Sequence, residues 1–226
     1  MTMIHTDDRP ISYTMNGASP AERLEPITLD WAKLHLRFPS TAEDTLLATY
    51  LAAARMHFEE QTRRQCLDAI WEYALDGVPD QTVIELPRPP LASVVSVTYD
   101  DAAGVAQTFD AANYVVLPSF VVPEDDSDPA IDPYCPCGRI ALVSGASWPT
   151  TSGLSRSLRI RRVCGYGTSA AAMPPLLVTT LGLLAQHMHN RVSDRLPIGA
   201  EVWINAFKWT ALPVLPPSQA AFLLPN

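Results

Sequence analysis

Residues 69–77, AIWEYALDG, mark the point at which the chain changes its period. Ile70, Glu72, Ala74 and Asp76 fall on one face of an extended segment, and Trp71, Tyr73 and Leu75 on the other. The chain beyond this segment stays extended. TVIELP (82–87) and ASVVSVTYDDAAG (92–104) are separated by RPP (88–90), a rigid corner with no proline N–H to give a ladder. Asp100 to Gly104 has the composition of a hairpin turn, with VAQTFD (105–110) as its return strand. NYVVLP (113–118), GRIALV (138–143) and SLRIRRVCGYG (157–167) complete an all-β middle of about seven short strands.

Upstream of residue 69 the spacing is helical. Thr28 is a candidate N-cap for LDWAKLHLRF (29–38), with Asp30 in the first turn and Pro39 as the stop. Ser40 with Glu43 reads as a capping box opening a second helix. Leu46, Leu47, Tyr50, Leu51, Ala54 and Phe58 form its apolar stripe, and Glu59, Glu60, Arg63 and Arg64 its polar end. Helix returns at MPPLLVTTLGLLAQHMHNR (173–191), where Pro174 and Pro175 suit a first turn and Leu177, Leu181, Leu184 and Met188 share a stripe. After DRLPIG (194–199) comes a short helix, AEVWINAFKW (200–209). The tail TALPVLPPSQAAFLLPN (210–226) is broken by proline, yet too apolar to be left to solvent.

The expected class is therefore α+β. The N- and C-terminal helix pairs build a helical bundle core, into which an antiparallel β-domain is inserted. The boundaries are an extended arm over 1–26, helices over 27–68, the β-domain over 69–168, helices over 169–208 and an extended tail over 209–226. Within the β-domain, residues 118–138 hold five prolines and the run EDDSD, and read as a long exposed loop.

Composition bounds the function. Charged residues make up only 18% of 226, so part of the surface is expected to be covered by partners. The net charge of −8 argues against a general phosphate-backbone binder, though not against a conduit whose walls repel DNA. The start, MTMIHTDDRPISYTMNG, has no basic segment before an apolar run, and no stretch has bilayer-spanning length. The expected compartment is a reducing cytoplasm, with Cys66, Cys135, Cys137 and Cys164 as thiols.

Signatures of catalysis are weak. Cys135, Cys137 and Cys164 with His187 and His189 have the wrong spacing for the common zinc classes. Residues two apart on a helix also point about 200° from each other. No glycine-rich segment matches a phosphate loop or nucleophile elbow, including SGAS around Gly145. Gly165 and Gly167 read as the end of a strand turning into a helix, and Asp125, Asp126 and Asp128 as a solvated charge run. RIRR (159–162) is the one basic cluster; Arg159 and Arg161 share a strand face that would suit an acidic partner. The reading is of a chain with no catalytic residues, no cofactor and no metal.

EPITLDWAKLHLRF (25–38), TAEDTLLATYLAAARMHFEEQTRRQCL (41–67) and IELPRPPLASVVSVTYDDAAGVAQTFDAANYVV (84–116) are together very similar to the opening of a known family. These are the head–tail connector proteins, also called adaptor or head-completion proteins, of tailed phages and related gene-transfer particles. GRIAL, GASWP, LRIRRVCGYG, MPPLLVTTLGLLAQHMHNR and LPIGAEVWINAFKW continue the resemblance over residues 26–209. ELPRPPL followed by SVTYDDAAG is its most specific part.

The resemblance implies a structural virion protein, made in the host cytoplasm and resident in the neck. It implies a dodecameric ring of this chain docked between the portal protein and the tail-side stopper. Genomic DNA would pass through the lumen without sequence-specific binding, and no membrane is involved. Because the C-terminal segment of such proteins typically reaches the portal, the portal-binding candidates are Trp209, Leu212, Val214, Leu215, Phe222, Leu223 and Leu224. The arm and the 118–138 loop depart from the family pattern. A stopper or tail-terminator protein, a β-rich binding module using that loop, and a metal-binding enzyme are the alternative readings.

Overall fold

A computed structural model of the chain describes residues 6–12, 25–37, 40–117, 138–190, 196 and 198–208. Helix α1 (Leu29–Leu36) starts where expected, with the Thr28 hydroxyl accepting from the Trp31 N–H at 3.2 Å. It ends on Arg37, whose left-handed φ of 57° turns the chain away. Helix α2 (Asp44–Thr62) does not use the expected capping box. Glu43 makes no cap bond, and the Ser40 hydroxyl accepts from the Ala42 N–H instead. The carboxylates here have other partners: Glu43 meets His189 at 3.1 Å and Asp44 pairs with Lys33 at 2.8 Å.

Helices α3 (Pro175–Asn190) and α4 (Ile198–Phe207) return to pack on α1 and α2. Leu47, Leu51, Ala54 and Phe58 of α2 share one core cluster with Leu177, Leu181 and Leu184 of α3 and with Ala200, Ile204 and Phe207 of α4. Gly182 lets α1 approach closely, because a Cβ there would stand 3.0 Å from the Trp31 ring. Leu46, expected on the buried stripe, is instead 43% exposed.

Between α2 and α3 lie seven strands: β2 (Ala69–Leu75), β3 (Val83–Glu85), β4 (Leu91–Asp100), β5 (Ala106–Thr108), β6 (Tyr114–Leu117), β7 (Arg139–Leu142) and β8 (Leu158–Cys164). Each matches one of the extended stretches read from the sequence, with β4 starting one residue before its stretch. An eighth, β1 (Thr6–Ser12), lies in the N-terminal segment read as an extended arm. It pairs antiparallel with β2, from Thr6 opposite Leu75 to Ser12 opposite Ile70. Edge pairing satisfies backbone groups and needs no apolar alternation, so the sequence pattern carried no sign of it.

All pairings are antiparallel, in a five-stranded sheet of order β1-β2-β8-β4-β5 and a three-stranded sheet of order β3-β7-β6. Trp71, Leu75, Val97, Leu158 and Ile160 of the larger sheet share a core with Ile84 and Ile140 of the smaller one. The protein is α+β, with one apolar cluster among the helices and another between the sheets.

The two parts meet where three passages of the chain lie side by side. The Cys66 carbonyl accepts from the Tyr166 N–H at 3.2 Å, and the Gly167 carbonyl from the Asp68 N–H at 3.0 Å. The RPP corner supplies acceptors in place of the donors it lacks. The carbonyls of Pro89 and Pro90 take the N–H groups of Gln65 and Gly165, at 3.1 and 3.0 Å, and that of Pro87 takes the Arg162 guanidinium at 3.1 Å. Gly165 has a φ of +142°, and a Cβ on it would fall on the backbone of Leu67 and Asp68. Gly165→Ala is expected to cost about 3 kcal/mol or more, lowering the unfolding midpoint by roughly 6–12 °C. Gly77 has open space around it, so Gly77→Ala should stay within about 0.5 kcal/mol. Thermal unfolding of the two variants checks this; equal effects would show that the crossing is not tight.

Candidate functional site

A catalytic centre needs polar groups converging in a pocket, and the described residues do not assemble one. Among them no group of three His, Cys, Asp or Glu side chains is placed to hold a metal ion. Cys66 and Cys164 are buried thiols, and burial, followed by the charge of Glu59, pushes the Cys66 thiol well above its ordinary value. Cys135 and Cys137 lie outside the described residues, as does the rest of the 118–138 loop except Gly138. His189 is held between Glu43 and the edge of the Tyr50 ring, 5.8 Å away centre to centre. Gly145, in the SGAS segment, has a φ of +82° in the turn after β7, where the Ala146 N–H donates to the Val143 carbonyl.

The basic cluster is neutralised from within the chain. Arg159 holds Asp100 with two bonds, of 2.8 and 2.6 Å, and Arg161 and Arg156 reach the two oxygens of the buried Glu72 at 3.2 and 2.9 Å. The acidic partner expected for this face is therefore part of the same sheet. Arg162 turns to the other side, where it is fully buried with its guanidinium 5.5 Å from the Tyr73 ring centre.

The seven portal-binding candidates, Trp209, Leu212, Val214, Leu215, Phe222, Leu223 and Leu224, lie outside the described residues. The described chain stops at Lys208, on the rim of an open cleft of about 280 Å³ between α2 and α4. His57 and Gln61 line it from α2, and Glu201, Ile204 and Asn205 from α4.

One constellation departs from its sequence reading. Glu59 and Arg64, expected at the polar end of α2, are 8% and 3% exposed. Glu59 accepts from Arg55 at 2.9 Å, from the Gln65 side chain at 2.9 Å and from the Cys66 N–H at 3.0 Å. Arg55 also grips both oxygens of Glu25, and Gln65 in turn accepts from the Trp71 indole at 3.1 Å. Arg64 donates to the Phe207 carbonyl and to the Tyr166 hydroxyl. Burial pushes the Glu59 carboxyl above its ordinary value, against the pull of Arg55 and the Cys66 N–H. Burial also works against the charge of Arg55, but the Glu25 bond and the charges of Glu59 and Glu25 outweigh it, so its proton is held more tightly than usual. A signal exists in the sequence: Arg55 interrupts an otherwise uncharged run and stands four residues before Glu59. These groups tie α2 to β2, to α4 and to the segment that follows β8, and none of them lines the α2–α4 cleft.

Known structures share this arrangement along almost its whole length. A chain described as "Virion of native gene transfer agent (GTA) particle" matches with a TM-score of 0.69 at 24% identity, over 92% of this chain and 97% of that one. One from the neck of the empty GTA particle, computed with C6 symmetry, gives 0.65 at 23% identity, over 96% of this chain and 100% of that one. One from the native neck, computed with C12 symmetry, gives 0.64 at 22% identity over the same shares. This chain has their fold. No family model matches it, and no curated protein does.

The polar groups differ in what their loss should cost. Glu59→Ala leaves Arg55 with Glu25 alone and strands the Gln65 amide and the Cys66 N–H, and is expected to cost about 2–4 kcal/mol in chemical denaturation. Arg161→Ala, at a more exposed ion pair, should cost under about 1 kcal/mol. At the β4–β5 hairpin, the Asp101 carboxylate accepts from the N–H groups of Ala103 and Val105 and from Gln107. These bonds hold its pKa below the ordinary 3.8, as the Arg159 bond does for Asp100. Depressed folded values mean stability that is present above pH 3.8 and lost as pH falls through the folded values. Amide exchange at Ala103 and Val105 should therefore lose protection in acid below that range; unchanged protection would contradict the assignment.

Proposed function

We propose that this chain is a structural neck protein of a phage-like particle, the adaptor that forms a ring between the portal and the tail-side stopper. The observation that supports this is the length of the fold likeness. The match to neck chains spans 96% of this chain and all of theirs, so helical and β parts agree together and not as one common motif. The symmetry of those necks favours an oligomeric ring. The net charge of −8 suits a conduit that duplex DNA traverses without adhering.

In this reading the helices of 27–68 and 169–208 face the ring and the portal, and the β-domain of 69–168 projects from them. The tail from Trp209 to Leu224 is an apolar strap on the portal. Burial at about 25 cal/mol per Å² favours it, and many copies add avidity. Lys208 stands at the α2–α4 cleft, so such a strap would leave from the helical layer. Synthesis in the host cytoplasm precedes incorporation into the virion neck.

Co-sedimentation with purified portal rings tests the proposal, comparing the full chain with one ending at Lys208. The full chain should travel with the portal and the shortened chain should not. Equal binding by both would remove the tail from the contact. Binding by neither would replace the adaptor by the stopper reading.

A further inference from the structure

On a typical surface helix the face turned from the core is charged, and α2 departs from this. From Thr45 through Met56 its exposed side chains are Thr45, Leu46, Ala48, Thr49 and Met56, none of them charged. The one charged residue in that stretch, Arg55, is turned inward. The Thr49 hydroxyl donates to the Thr45 carbonyl at 2.9 Å, so even this polar group is satisfied within the helix. Met56 is 61% exposed.

Helix α4 has a related departure. Ala200, Ile204 and Phe207 are buried, and the opposite side carries Val202, 57% exposed, and the half-buried Ala206 one turn on, flanked by the exposed Glu201 and Asn205. The apolar strip of Val202 and Ala206 gains from cover, as the uncharged face of α2 does.

We propose that these two faces are the halves of one contact between copies of this chain, α4 of one copy seated on α2 of the next. The inference rests on the ring reading above and adds to it the surfaces that close the ring. The shapes are complementary: α2 offers a shallow floor of threonine and alanine between Leu46 and Met56, and α4 a narrow ridge of Val202 and Ala206. The placement also fits. Within one copy α2 and α4 meet through other sides, with the Phe58 and Phe207 rings 5.5 Å apart and the cleft of His57, Gln61 and Asn205 beside them. Their outer faces therefore look in different directions. A head-to-tail ring needs two unlike faces on different sides of the subunit, and closure covers both in every copy. A two-fold dimer through α2 would leave α4 bare, and an outside partner on either face would leave the other uncovered.

The test uses the full chain with Cys135→Ser and Cys137→Ser, assembled on portal rings; Cys66 and Cys164 are buried and stay out of reach. Adding Thr49→Cys and Val202→Cys together should, on oxidation, give a ladder of covalent oligomers rising to the ring, which neither cysteine gives alone. Thr49→Glu, at an exposed helical position, should leave the melting midpoint of the free chain within about 3 °C and reduce ring assembly at least tenfold. Rings that form without a ladder, or that form unimpaired with Thr49→Glu, would overturn this contact and leave the ring reading standing. A parent chain that binds the portal without forming any ring would overturn both.

Discussion

The structure turns on the buried carboxylate of Glu59. It is the acceptor common to a helix, through Arg55, and to the chain that leaves that helix, through Gln65 and the Cys66 N–H. A domain inserted between two helices must let the chain cross the boundary twice. Here the outgoing passage at Cys66–Asp68 and the returning one at Gly165–Gly167 are bonded to one another. Glu59 fixes the first passage, and the absence of a side chain at Gly165 admits the second. Both apolar clusters are built outward from this point, and their relative placement depends on it.

Such a joint is costly to make, since burying charges in protein demands that each be paired. What it provides is direction. Two apolar surfaces would slide over one another with little change in energy, whereas Arg55, Glu59, Gln65 and Arg64 accept only one set of partners. On the outside, the arginines of the inserted sheet are neutralised within the chain, and α2 is uncharged along its exposed stretch from Thr45 to Met56.

Much of this is legible in the sequence because it rests on periodicity. The seven stretches with alternation or β-rich composition are β2 to β8, and the stripes Leu47–Leu51–Phe58 and Leu177–Leu181–Leu184 are the helical core. The departures share a cause, which is that a polar side chain has several uses. Ser40 and Glu43 have capping-box spacing, yet Glu43 is turned toward His189. Glu59 and Arg64 look like solvent-facing charges until the partners that bury them, Gln65, Tyr166 and the Phe207 carbonyl, are in place. β1 could not be read because backbone pairing with β2 leaves no pattern in side chains. As for the candidate site, the tail residues from Trp209 onward stand out for their apolar character, and the described chain stops one residue short of them.

The most direct test of the account is a cryo-electron-microscopy reconstruction of the neck of particles produced with this chain. The account predicts a ring of this fold at the head–tail junction, with its helices toward the portal and DNA on its axis. Density for the chain at the tail tip, or complete tailed particles that lack it, would contradict the assignment.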